Sequence, residues 1–169
     1  MMVQNDFARQ WKTIEPSVIE AVQRVGSSGW YILGQEVNQF EKALARHWGM
    51  AHAVGVGNGM DALEIGLRCL DLRPVENVLT TPFSTLAILR AGGTPVFVDV
   101  DDNGNIDLHQ CRDVLTGDSS IRFLVPVHLY GNPCDLEKLA ALSEISMCGL
   151  LKIVPRQLER NTEAGSLDR

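Results

Sequence analysis

The chain has 169 residues, enough for one domain with a sizeable core or for part of a larger one. Its 21 acidic and 15 basic residues leave a formal charge of −6, and 45% of the residues are hydrophobic. That balance excludes a disordered chain and argues against a nucleic-acid partner, which would need a basic stripe.

In chain order, Ile14, Val18, Ile19, Val22 and Val25 repeat at helical spacing, and Gly26 to Gly29 is expected to end that helix. Val37, Phe40, Leu44 and Ala45 mark a second helix that Gly49 closes. Trp30-Tyr31-Ile32-Leu33-Gly34 lies between them, a loop whose aromatics either pack locally or form an interface. From Ala51 short apolar runs alternate with helical stretches. Strands are predicted at 53–56, 78–80, 95–98, 123–127 and 150–154. Helices are predicted at 61–70, 85–91, 107–114 and 135–143. This alternation defines an α/β fold with a mainly parallel sheet and helices on both faces, because the strands are continuously apolar. The expected divisions are a helical segment with its loop over 1–50, an α/β part over 51–154, and a polar, divergent tail over 155–169.

No apolar run reaches the roughly 18–20 residues of a membrane helix, and Met1 to Gln10 is too polar for a secretory signal. Cys69, Cys111, Cys134 and Cys148 lie far apart without CxxC spacing. They read as ordinary thiols of a reducing compartment, the cytoplasm. His47, His52, His109 and His128 form no metal-ligand pattern.

Val54-Gly55-Val56-Gly57-Asn58-Gly59-Met60-Asp61 joins a predicted strand to a helix. Glycines there let the backbone approach an anion, and the first N–H groups of the helix can bind phosphate. A ligand-free tight turn explains the same residues equally well. A dinucleotide fingerprint is excluded, because its third glycine position holds Met60 and the next strand ends in Thr80-Thr81 rather than an acid. Asp99, Asp101 and Asp102 could ligate a cation, but Asn103-Gly104 beside them favours a solvated turn. His128 and Tyr130 sit at the C-terminal end of a predicted strand, where open parallel sheets bind ligands. Spacing alone leaves their role undecided.

Taken together, these stretches resemble the DegT/StrS-type nucleotide-sugar aminotransferases, a branch of the fold-type I pyridoxal-phosphate (PLP) enzymes. The likeness runs from about Asn5 to about Glu144. It is carried by Ser28 to Gly34, Val37 to Glu41, Ala53 to Leu63, Ala87 to Gly92, Pro95 to Asp99 and Pro126 to Gly131. The resemblance implies the N-terminal part of a fold-type I large domain. It implies transfer of an amino group, usually from glutamate, to a keto sugar linked to a nucleotide, within a homodimer. It implies that Gly59, Met60 and Asp61 hold the cofactor phosphate. Many members carry Thr or Ser where Met60 offers only its backbone N–H. It also moves Trp30 and Tyr31 toward a functional or interface role and leaves His128 and Tyr130 mainly structural.

The departures are as specific as the matches. After Thr80-Thr81-Pro82-Phe83-Ser84 the family has further residues, including an aromatic that stacks on the pyridine ring. Phe83 matches the position before it and is the cofactor-facing candidate that remains. The strand at 150–154 should lead into a motif whose Asp pairs with the pyridine nitrogen and keeps the ring an electron sink. Pro155-Arg156-Gln157-Leu158 follows instead, and the likeness returns at Ala164-Gly165-Ser166-Leu167-Asp168. A reading-frame disturbance between Val154 and Ala164 would leave this pattern, and the genomic DNA tests it. Lys12, Lys42, Lys138 and Lys152 are the only lysines, and none lies in a context resembling the family's Schiff-base lysine. No catalytic residue is therefore assigned, and the chain alone is expected to be inactive. The competing expectations are a degenerate, non-enzymatic fragment with at most a binding or dimerisation role, and an unrelated doubly wound binding domain.

Overall fold

The computed structural model describes residues 6–146 and 149–150. The chain divides into two compact units, Met1–Gly55 and Val56–Arg169.

The first unit holds two helices. Asp6 caps α1 (Phe7–Ser28), accepting from the Arg9 N–H at 2.9 Å. The helix passes through Gly26 and ends only at Gly29, whose φ of 66° places it in the left-handed region. Glycine is therefore the stop signal through its conformation at the cap, not through its presence in the run. Apolar Phe7, Trp11, Ile14, Ile19 and Val22 remain exposed along α1. In the connecting loop the Trp30 indole N–H donates to the Ile32 carbonyl at 2.8 Å. Leu33 takes a positive φ of 50°, and Gly34 opens α2 (Gln35–His47).

The strand expected over Ala53 to Val56 does not form. No strand among the described residues runs beside it, and an unpaired strand has no ladder to stabilise it. The Gly55 N–H is donated instead to Glu41 Oε1 at 2.7 Å.

The second unit begins with α3 (Gly59–Cys69) and continues through β1 (Asn77–Thr80), a 3₁₀ turn (Pro82–Ser84), α4 (Thr85–Ala91) and β2 (Thr94–Phe97). Then come α5 (Leu108–Gly117), β3 (Ile121–Val125), a second 3₁₀ turn (Leu129–Gly131), α6 (Leu136–Ser146) and β4 (Gly149–Leu150). The rest of the strand expected at 150–154, and the tail after it, lie outside the described residues. The sheet is wholly parallel with order β2-β1-β3-β4. Successive residues face opposite sides of it. Val78, Phe123 and Val125 pack with Leu67 and Ile88 of α3 and α4. Leu79 and Leu124 pack with Cys111, Leu115, Leu139 and Leu142 of α5 and α6. Each fully buried leucine contributes about 1.5–3 kcal/mol. Two covered faces explain why the strands read as unbroken apolar runs.

The acidic cluster is a turn. Asp101 Oδ1 accepts from the Asn103 and Asn105 N–H groups at 2.9 and 3.0 Å. Gly104 supplies a φ of 79°, and Val100 bridges Ile106 antiparallel across the turn.

Helix capping gives this unit an acid-sensitive component. Asp107 accepts from the Gln110 and His109 N–H groups, and Asp135 from the Lys138 N–H. These bonds favour the ionised carboxylates and hold both below the usual range. A depressed folded-state pKa gives stability that is present above the unfolded value of about 3.9 and lost as pH falls through the folded one. Urea midpoints are therefore expected to fall as pH drops below about 4. In Asp107→Asn, which keeps a capping oxygen without the charge, that fall should be shallower. An unchanged acid limb would remove Asp107 from the account.

Candidate functional site

The N-terminus of α3 is built by four consecutive residues. Asn58 is extended, with φ −163° and ψ 175°, and caps the helix. Its Oδ1 accepts from the Asp61 N–H at 3.0 Å, and its Nδ2 donates to Asp61 Oδ2 at 2.9 Å. The amide thus satisfies one of the orphan donors at the helix start and fixes the carboxylate. The N–H groups of Gly59 and Met60 have no acceptor among the described residues. Both lie at the positive end of an 11-residue helix. A Cβ on Gly57 would meet Asp61 Oδ2 at 2.9 Å, so glycine there leaves the carboxylate in its place.

Asn58→Ala is expected to cost about 1 kcal/mol of stability, the usual value of a lost cap. Chemical denaturation measures it. An unchanged midpoint would mean that the Asn58 bonds add nothing.

A cationic side chain lies across this first turn. Arg90, near the end of α4, places Nε 3.0 Å from Glu64 Oε2 and Nη1 3.9 Å from Asp61 Oδ1. The same Nη1 is 3.6 Å from Met60 Sδ. Arg68 pairs with Glu64 at 3.0 Å and donates to the Arg90 carbonyl at 2.6 Å. Periodicity shows which helix face is apolar but not which helix lies alongside, so this network was not legible in the sequence.

The structure brings Gly59, Met60 and Asp61 together and places Phe83 on a separate element. Phe83 occupies the 3₁₀ turn after β1 and is 71% exposed. His128 is only 1% exposed, and its Nδ1 accepts from the Cys134 N–H at 2.9 Å. An accepting Nδ1 carries no proton, so His128 works as a structural acceptor. Burial, with Asp101 nearby, pushes the Cys134 thiol up, which makes it a poor nucleophile.

Two unpaired N–H groups at a helix N-terminus, next to a glycine that admits close approach, form a donor set suited to a phosphate ester. The class defined here is thus a parallel α/β unit with a helix start whose first two N–H groups have no acceptor among the described residues. The DegT/DnrJ/EryC1/StrS aminotransferase family matches residues 12–151, and the chain belongs to that family. It is 38% identical over 135 residues to a dTDP-3-amino-3,6-dideoxy-alpha-D-galactopyranose transaminase of Aneurinibacillus thermoaerophilus, covering 77% of this chain and 37% of that protein. A DegT DnrJ EryC1 StrS aminotransferase structure from Brucella abortus superposes with a TM-score of 0.81 at 28% identity, over 90% of this chain and 43% of that one. The NtdA structure from Bacillus subtilis, with bound cofactor PMP, gives 0.74 at 25% identity, over 80% and 32%. The chain spans roughly two fifths of the length of the curated relatives it matches, 38%, 37% and 38% for three of them. Among the described residues no helix is long and apolar enough to cross a membrane.

Proposed function

We propose that this chain is the N-terminal part of a PLP-dependent aminotransferase that moves an amino group from an amino acid, glutamate by family likeness, to a nucleotide-linked keto sugar. The observation that carries the reading is the pair of unpaired N–H groups at the start of α3, in a chain of this family. Gly59 and Met60 hold the cofactor phosphate through their backbone N–H groups. Asp61, tied back by Asn58, keeps the helix start open toward them. Met60 contributes no hydroxyl, and its sulfur is turned to Arg90. Phe83 offers an exposed ring after β1 to lie beside the pyridine. When bound, the cofactor supplies the electron sink that transamination needs. The 169-residue chain supplies the phosphate half-site. A cytoplasmic homodimer is part of the same proposal, with Trp30, Tyr31, Ile32 and Leu33, all more than half exposed, as the contact surface.

The test is an absorbance titration of the purified chain with PLP, then borohydride reduction and peptide mapping. Pyridoxine 5′-phosphate, which lacks the aldehyde, is titrated in parallel by calorimetry. Expected are saturable binding of both near one per chain, competition by inorganic phosphate, and no amination of a nucleotide keto sugar with glutamate. Failure of both ligands to bind would leave the non-enzymatic reading. Turnover by this chain alone would overturn its assignment as a half-site.

The dimer has its own check. Sedimentation should give twice the chain mass for the native protein and a shift toward the monomer for Leu33→Glu. A native monomer would reject the contact surface.

A further inference from the structure

Arg90 lies outside the phosphate-holding turn, yet its guanidinium spans three residues of α3. Glu64 is 3.0 Å away, Asp61 3.9 Å, and the sulfur of Met60 3.6 Å. Asp61 and Glu64 put two negative charges within the first two turns of a helix whose N-terminus is proposed to hold an anion. They act against the favourable field of that terminus. Arg90, and behind it Arg68, which pairs with the same Glu64 at 3.0 Å, bring the cluster to neutrality.

We infer that Arg90 is a positioning residue of the cofactor site, setting the anion affinity of the Gly59 and Met60 N–H groups by neutralising the Asp61–Glu64 pair. This rests on the reading of the α3 terminus as a phosphate site. The residues involved are partly exposed, so the effect is moderated by solvent and salt. Mutual distances of 3–4 Å place the whole cluster within one Debye length of about 8–10 Å at ordinary salt. A change of one charge there is still felt at the terminus.

A purely bracing role makes a different forecast. If Arg90 only ties α4 to α3, removing either member of the Arg90–Glu64 pair loosens the turn and weakens binding. If Arg90 acts through charge, the two removals have opposite signs. Arg90→Gln leaves two carboxylates with only Arg68 to offset them, whereas Glu64→Gln leaves a surplus of positive charge.

The experiment measures the affinity of the full chain for pyridoxine 5′-phosphate and for inorganic phosphate at low salt and at about 1 M salt, where the Debye length is about 3 Å. At low salt Arg90→Gln should weaken binding about threefold or more, and Glu64→Gln should tighten it by a similar factor. The double variant should return close to the native affinity, and Arg90→Lys should keep it. High salt should shrink all of these differences. Circular dichroism of each variant checks that it is folded. Weakening by both single variants, or no change in either, would overturn this inference alone. Native chain that binds neither ligand would overturn the phosphate-site reading and this inference with it.

Discussion

Gly59→Pro should fold normally and lose its phosphate ligand. Gly59 is the first residue of α3, and its N–H has no acceptor within the helix. Proline is favoured at that position, because its fixed φ suits the helix and the missing N–H forfeits no internal bond. The preceding Asn58 is extended, with ψ of 175°, the conformation a following proline requires. Beyond its chain neighbours and the adjoining helix backbone, no described atom lies within 4 Å of a Cβ on Gly59, so Gly59→Ala is the control that adds bulk and retains the donor.

A hydrogen bond to a charged group is worth about 1.5–3 kcal/mol, which is about a tenfold to hundredfold change in affinity. Pyridoxine 5′-phosphate affinity should fall by about that factor in Gly59→Pro and stay within about threefold of native in Gly59→Ala. Both variants should melt at or above the native temperature, since each restricts the unfolded chain. Equal affinity in native and Gly59→Pro protein would show that the anion does not sit on this N–H.

Much of the fold was legible because its physics is local or periodic. The Thr85–Ala91 helix was predicted with its observed bounds. The runs at 78–80, 95–98 and 123–127 found their strands with shifts of one or two residues. The apolar side chains of 78–80 and 123–127 face two cores at once, a demand that leaves a direct imprint on composition, while Val96 and Val98 join only one of them. The segment at 53–56 failed for a non-local reason. Val54 and Val56 have the side chains of a strand, but a strand exists only where a neighbour pairs with it, and no sequence window of four residues states who the neighbour is.

The site divides along the same line. Gly57, Asn58, Gly59 and Asp61 follow one another, so the cap and its two unpaired donors could be read from their order. Arg90 comes 29 residues after Asp61, beyond a strand and a turn, and reaches the site through the packing of α4 on α3. His128 could be placed at a strand end, but its use could not be told, because that depends on the Cys134 N–H six residues later.

Replacing His128 tests that last assignment with a large expected effect. The ring is almost fully buried at the C-terminal side of β3, and its Nδ1 accepts from the Cys134 N–H just before α6. Cys134 is itself buried, and its sulfur contacts the Val127 carbonyl at 3.7 Å. The imidazole thereby closes the segment between β3 and α6 onto itself. His128→Leu keeps much of the volume and removes the acceptor, leaving a buried N–H unsatisfied at about 1–3 kcal/mol. With imperfect packing added, the loss should reach about 2–4 kcal/mol. His128→Asn can return an oxygen to the Nδ1 position and should lose less, although it leaves a small cavity. Urea unfolding of the three proteins ranks native above Asn above Leu. A leucine variant as stable as the asparagine one would show that filling space matters at this site and the hydrogen bond does not. As a variant of a scaffold residue, His128→Asn should also bind pyridoxine 5′-phosphate with native affinity. A selective loss of that affinity in a well-folded His128→Asn would move His128 from scaffold to site.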